Sequence, residues 1–422
     1  MRVTPALARH AQAVLDEALG FASPADQVLS RYFRAHHSLG RNERALIAEA
    51  CFAVLRRKRS LEAAAGSAAA SALLAAALLK HLGFSGRALA GIFEPELLER
   101  IRAARSEGLP DAVRAELPDW LWQRLSDQYG AAEAMHIARG LANPAPLDLR
   151  VNIARAERAM VLERLAADGI AAAPTPYSPA GVRLAAKPAI NQHALYRDGL
   201  IEVQDEGSQL LAFVLAPRRG EMVADYCAGA GGKTLALAML MHGSGRIYAM
   251  DISTRRLAAL APRAARARVD NIHRIALSGD NDARVKRLAG KLERVLVDAP
   301  CSGFGTLRRN PDLKWRHGEQ ALAELAAKQA RILESAARLV KPGGRLLYAT
   351  CSILREENDA VADAFLAHRP EFRALSCGAL LAAKGIALER PGERLRLWPH
   401  VHGTDGFFAA AFERARLSGS GD

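Results

Sequence analysis

Two apolar runs in this chain end in a cysteine. One is Val295-Leu296-Val297-Asp298-Ala299-Pro300-Cys301-Ser302-Gly303; the other is Leu346-Leu347-Tyr348-Ala349-Thr350-Cys351-Ser352. If both runs are strands of one parallel sheet, both thiols lie at its carboxyl edge, where open α/β sheets bind ligands. A thiolate is the least hampered protein nucleophile near neutral pH. One reaction that needs such a thiolate is methylation of carbon 5 of a pyrimidine: carbon 5 is too weak a nucleophile unaided and becomes enamine-like once the thiolate has added to carbon 6. Asp298, three residues before Cys301, suits ring nitrogen 3, where it would hydrogen-bond or protonate and so stabilise the charge that develops on addition. The carbon-5 proton must then leave and the thiol be eliminated, a step that a second cysteine beside the first could assist. Methylation of an amino nitrogen is disfavoured, since Cys301 stands where such enzymes carry a base-stacking aromatic residue.

A second motif supplies the other half of such a reaction. Asp225-Tyr226-Cys227-Ala228-Gly229-Ala230-Gly231-Gly232-Lys233-Thr234 follows an apolar run and precedes a helical one. Glycines at a strand-to-helix turn let a ligand approach the backbone. A triphosphate loop would need glycine at the position of Cys227, which argues against a nucleotide triphosphatase. An adenosyl-cofactor loop instead needs an acid at the end of the next strand for the ribose hydroxyls. Asp251 ends Arg246-Ile247-Tyr248-Ala249-Met250, 22 residues after Gly229, close to the ~20 expected. Asp280, after the following strand, suits the adenine edge. Cys227 itself reads as a loop-packing residue that offers backbone contacts.

The elements that must position these groups are legible as alternation. Candidate strands are Met222–Cys227, Arg246–Asp251, Arg274–Ser278, Arg294–Val297, Arg345–Ala349 and Phe407–Phe412, with helical stretches between most of them. This predicts an α/β domain over 204–416, with a parallel sheet covered by helices on both faces. Before it, Asn143-Pro144-Ala145-Pro146 marks a break, and residues 141–203 read as a small α+β unit. Residues 1–140 read as helical: Leu46, Ile47, Ala50, Cys51, Val54 and Leu55 recur at helical spacing. Arg56-Arg57-Lys58-Arg59 reads as a basic cluster ending a helix, serving either the helix dipole or RNA phosphates. The Ala-rich stretch 63–79 is short for a membrane span and reads as a buried helix. Residues 417–422 read as a flexible tail.

Composition fits a nucleic-acid partner. The 422 residues carry a formal net charge of +13 and are half hydrophobic, enough for two or three cores and a strong attraction to phosphates. Five cysteines, an odd number, with no secretory signal at the start, point to reduced thiols and a cytoplasmic protein. Cys51 and Cys377 read as small buried hydrophobes. A monomer is the default expectation.

At its cysteines the chain resembles the Sun/nucleolar-protein family of RNA cytosine-5 methyltransferases, through Pro300-Cys301 and Thr350-Cys351. The resemblance extends over about residues 143–414. It includes Leu149-Arg150-Val151-Asn152, Gln204-Asp205-Glu206-Gly207-Ser208-Gln209, Arg309-Asn310-Pro311-Asp312-Leu313-Lys314-Trp315, Glu356-Glu357-Asn358 and Gly403-Thr404-Asp405-Gly406-Phe407-Phe408. It implies a Rossmann-like class I methyltransferase sheet and S-adenosyl-L-methionine as cofactor. It implies Cys351 as the nucleophile, with Cys301 aiding product release. Cys227, Ala228, Gly229, Ala230, Gly231, Gly232, Lys233, Asp251, Asp280 and Asp298 are the implied cofactor residues. Gly229 and Ala230 replace the family's usual Ala and Pro. Arg308, Arg309 and Lys314 are candidate phosphate contacts or rim charges.

The helical amino-terminal part is similar to antitermination-factor-B-type RNA-binding domains, on Arg41-Asn42-Glu43-Arg44, Ala48-Glu49 and Leu55-Arg56-Arg57. Glu43-Arg44 stands there for the familiar Asp-Arg pair. Such domains occur in bacterial small-subunit ribosomal RNA methyltransferases, which makes 16S rRNA the implied substrate. The alternatives are a transfer-RNA cytosine-5 methyltransferase, a catalytically silent RNA-binding assembly factor, and a DNA cytosine-5 methyltransferase. The last would attack through the Pro-Cys cysteine and would not need the second one.

Overall fold

The computed structural model of the protein describes residues 2–279 and 282–416. Its contacts gather into two compact units, Met1–Pro144 with Thr306–Ala321, and Ala145–Gly305 with Leu322–Asp422. The expected small unit and sheet domain thus share one unit. A segment expected inside the sheet domain, 306–321, belongs to the helical one instead.

The helical unit is built on the long helix Arg41–Ala65 and the helix Ala70–Lys80. Alanines let the second pack closely: Ala72, Leu73, Leu74 and Ala75–Ala77 are all buried against a core that includes Val14, Leu15, Ile47, Ala50 and Cys51. Among the described residues no single helix is long and apolar enough to cross a membrane; these two pass such a test only jointly, bent by 99°.

The basic cluster does not end a helix, contrary to the reading above. The helix continues to Ala65 and is kinked at Arg57 (φ −116°, ψ 23°). A kink orphans backbone groups, and each one here has a partner. The Arg59 and Ser60 amides, which would have bonded Leu55 and Arg56, donate instead to the buried Glu116 carboxylate at 3.1 and 3.3 Å. The freed carbonyls of Leu55 and Arg56 accept from Trp315 Nε1 at 3.2 Å and Lys314 Nζ at 3.0 Å. The segment 306–321 is therefore a plug that completes the helical unit.

Lys314 and Arg308 are only 3% and 7% exposed. The reading of both as phosphate contacts is corrected: both side chains are buried, and the Arg56 carbonyl at the kink accepts from the Lys314 amine. Arg309 remains half-buried. Burial pushes the Lys314 amine down to about 7, with Glu116 opposing and Arg56 and Arg57 adding to the effect. Between about 7 and its ordinary range the folded state has released a proton that the unfolded chain still holds, so stability rises with pH across that window. Lys314→Met should flatten that rise, read as thermal midpoints from pH 6.5 to 10. It should leave the salt dependence of RNA binding unchanged. A reduced salt slope would restore Lys314 as a phosphate contact.

The second unit carries two sheets. Strands β1 (Leu147–Val151), β2 (Ala172–Pro174), β3 (Gly181–Leu184) and β4 (Ile201–Val203) form an antiparallel sheet in the order β2-β3-β1-β4. The larger sheet takes β5 (Met222–Asp225), β6 (Arg246–Asp251), β7 (Ile272–Ala276), β8 (Leu292–Asp298), β9 (Val340–Thr350), β10 (Phe372–Leu375), β11 (Leu395–Leu397) and β12 (Phe407–Arg414). Its order is β10-β12-β9-β8-β5-β6-β7, with β11 on β12. β5 to β9 run parallel and β12 is antiparallel to β9. The order reverses between β5 and β8, so the crevice at their carboxyl ends is the switch point where a ligand belongs. The β5 face that includes Val223 and the face that includes Ala224 each meet their own apolar cluster, which explains the unbroken apolar runs.

Candidate active site

The turn after β5 is held from several sides. Ala228 N donates to Met250 O at 2.9 Å and Gly229 N to Asp251 Oδ2 at 2.9 Å. Asp251 Oδ1 also accepts from Ser253 N at 2.7 Å and Arg256 Nη2 at 2.9 Å. Asp251 is therefore at once the acid at the end of β6 and the anchor of the glycine loop. Gly231 (φ 86°) begins the helix Gly232–Leu240, and a Cβ there would come within 2.1 Å of Leu260 Cδ1, so only glycine fits. Arg150, on β1, donates from Nη1 to Gly232 O at 2.9 Å and also bonds Gln204. Gln209 Nε2 bonds Leu149 O at 3.2 Å. The motifs around Arg150 and Gln204 thus brace the loop from behind.

Beside it lies a cavity of about 160 Å³ whose lining includes Gln204, Asp225, Cys227, Gly232, Lys233 and Asp298. Asp225 is 1% exposed and accepts from Thr234 Oγ1 at 2.7 Å. Burial, with the neighbouring Asp298 charge, pushes its carboxyl up to about 7, although the Thr234 hydrogen bond and Lys233 oppose this. Lys233 Nζ lies 2.6 Å from Asp298 Oδ2. Burial works against its charge, but the Asp298 carboxylate holds its pKa above the ordinary lysine range. Asp280 lies outside the described residues.

The structure brings the two cysteines together. β8 and β9 pair in parallel with Asp298 opposite Ala349, which places Cys301 and Cys351 on adjacent loops with their sulfurs 3.4 Å apart. Both are free thiols, as are Cys51, Cys227 and Cys377. The hydrogen bond to Cys351, then burial, push the Cys301 thiol well above the ordinary range.

Sequence reasoning missed what sets this spacing. Glu357, fully buried, joins the two loops. Its Oε1 accepts from Ser302 N at 2.8 Å and Gln329 Nε2 at 2.9 Å; its Oε2 accepts from the Ser302 hydroxyl at 2.5 Å and from the Ser352 hydroxyl. Ser302 follows Cys301 and Ser352 follows Cys351. Gln329 also holds Pro300 O at 3.0 Å. Asn358 binds Ser352 O at 3.0 Å and the Thr350 hydroxyl at 2.5 Å. Gly305 N donates to Cys351 O at 2.8 Å, and a Cβ on Gly305 would lie 2.1 Å from Gly406 O. A signal for Gln329 existed: it is a polar residue in line with the buried Leu322, Ile332, Leu333 and Ala336 of one helix.

A mainly parallel sheet with a glycine loop and strand-end acids at its switch point defines a class I methyltransferase. Known proteins agree. The model of the 16S rRNA methyltransferase RsmB/F family matches residues 212–413, and that of the ferredoxin-like domain of RsmF/B-like methyltransferases matches residues 117–191. The chain is 35% identical over 332 residues to a probable ribosomal RNA small subunit methyltransferase B of Bacillus subtilis, covering 74% of this chain and 72% of the relative. It is 33% identical over 401 residues to a ribosomal RNA small subunit methyltransferase B of Xanthomonas campestris, covering 88% and 89%. A solved methyltransferase homolog protein from Pyrococcus horikoshii superposes with a TM-score of 0.62 at 29% identity, over 74% of this chain and all of that one. The chain belongs to the RsmB/F family of methyltransferases.

Proposed function

We propose that this protein methylates carbon 5 of a cytosine in 16S rRNA, from S-adenosylmethionine, through a covalent Cys351 adduct. The observation that carries this reading is the pair of thiols 3.4 Å apart at strand ends, beside the Lys233–Asp298 ion pair. The loop residues suit the cofactor: the cavity lies between Asp225 and Asp298, and the Asp251 carboxylate at the end of β6 anchors the glycine loop beside it. When bound, the cofactor supplies an electrophilic methyl group on a sulfonium.

The chain's own residues do the rest. Cys351, at the end of β9, bonds carbon 6 through its sulfur, having given up its thiol proton. As charge develops on ring nitrogen 3, the Asp298 carboxyl passes its proton there, and Lys233 holds the carboxylate left behind. After methylation carbon 5 gives up its proton to water, the sulfur–carbon bond breaks and the double bond reforms. Cys301, one hydrogen bond from the leaving sulfur, assists this last step.

The test is methyl transfer from labelled cofactor to unmodified ribosomal and transfer RNA, digested to nucleosides. Label is expected in 5-methylcytidine from small-subunit rRNA. Label confined to transfer RNA overturns the substrate, and label in another nucleoside overturns the chemistry.

A further inference from the structure

A cavity of about 510 Å³ lies outside the site above. Its wall includes Asp359, Arg390, Glu393, Arg394, Arg396 and Trp398. Its size is that of an ordinary small-ligand pocket. The mechanism uses none of these side chains, and none of them was singled out from the sequence.

The site is built rather than incidental. Asp359 Oδ1 accepts from Arg394 Nη1 at 2.6 Å and also from Arg396, so one carboxylate aligns two guanidinium forks. Arg394 additionally pairs with Asp363. The Arg396 guanidinium is further held 5.2 Å over the Phe408 ring. Each fork has five N–H donors, more than these contacts use, and its plane matches a phosphate. Trp398 is half-buried at the cavity wall. Arg390 adopts the left-handed conformation (φ 52°), a strain that non-glycine residues keep where the surroundings demand it.

The position of the groove says what it would take. Arg396 on β11 is opposite Phe408 on β12, which is opposite Thr350 on β9, the residue before Cys351. Neighbouring strands are ~4.8 Å apart, so the Arg396 backbone lies about 10 Å from that of Thr350. Asp359 follows Asn358, which holds Thr350 and Ser352. A ligand here is a near neighbour of whatever Cys351 attacks. Guanidinium forks beside an indole are the chemistry of a single-stranded nucleic acid, with phosphate on the arginines and a base on the aromatic face.

We propose that this groove binds an unpaired nucleotide flanking the target cytosine, its base stacked on Trp398 and its phosphate on Arg390 and the Asp359-aligned arginines. The proposal rests on the reading that the substrate is RNA. The test is equilibrium binding of two RNAs to the full chain, one carrying the target cytosine with its flanks and one trimmed to the cytosine and its nearest neighbours in the duplex.

Trp398→Ala should weaken binding of the longer RNA by roughly 5- to 100-fold, the range of one lost base stack. Trp398→Phe should restore most of it. Arg390→Ala should lower the slope of log affinity against log salt by about 0.7, one single-strand phosphate. Neither variant should change binding of the trimmed RNA. Wild-type affinity and salt slope for the longer RNA in both Arg390→Ala and Trp398→Ala would overturn the groove, and Arg390→Ala keeps the test decisive should Trp398→Ala fail to fold. Wild-type protein that binds RNA through this groove yet forms no 5-methylcytidine would sink the proposed chemistry alone.

Discussion

Cys301→Ala protein, mixed with cofactor and substrate RNA, should accumulate a protein–RNA adduct that survives denaturation, whereas Cys351→Ala should form none and transfer no methyl group. The proposed roles make the two variants unequal although the sulfurs are adjacent. Loss of Cys301 leaves the attacking sulfur in place and removes the neighbour that helps it leave. Turnover should fall by about 10²–10⁴, the usual worth of one positioned acid or base, while the covalent step persists. Loss of Cys351 removes the bond-forming atom itself. Denaturing electrophoresis of radiolabelled RNA reads both results. An adduct that requires Cys301 and not Cys351 would reverse the roles.

Glu357→Ala should cost nearly as much activity without touching either thiol. The carboxyl accepts from the Ser302 amide, the Gln329 amide and the hydroxyls of Ser302 and Ser352. Deleting it leaves those donors buried without an acceptor, at about 1–3 kcal/mol each before relaxation. The expected stability loss is about 3–5 kcal/mol, the range for breaking a buried polar network. Glu357→Gln is the more informative variant. It keeps the shape and one acceptor, and the two serine hydroxyls can rotate to accept from the new amide. That variant should fold, but with the two cysteine loops less firmly registered. Misplacement by about 1 Å costs on the order of 10²-fold in rate. The loss should fall on kcat, with KM for RNA little changed. Wild-type kcat in Glu357→Gln would show that the carboxyl only fills space.

The parts of this site legible in the sequence are those written at strand ends. Cys301, Cys351, Asp251 and the glycine loop each follow an apolar run, and parallel topology alone brings such positions to one edge. The clamp was legible only as the motif Glu356-Glu357-Asn358, without its role, because Glu357 and Gln329 come from a loop and a helix that meet the cysteine loops only in three dimensions. β10 and β11, with four and three residues, are too short to show alternation. β9 begins at Val340, earlier than expected, because Pro342-Gly343-Gly344 reads as a turn although it lies inside the strand. Lys314 was misread for a different reason. A charge pattern presumes exposure, and nothing local signals that a kink 258 residues earlier offers it a carbonyl.

That kink also sets a timetable. As the chain is synthesised, helix Arg41–Ala65 emerges early. The Glu116 carboxylate for its broken turn follows 57 residues after Arg59. Trp315 comes 260 residues after the Leu55 carbonyl it satisfies. At about 5–20 residues per second that interval is roughly 13–50 s. The helical unit therefore stays unfinished until residues 306–321 have been added. Through most of translation it waits as an incomplete body with two carbonyls lacking their native donors, and residues 1–144 expressed alone would remain in that state.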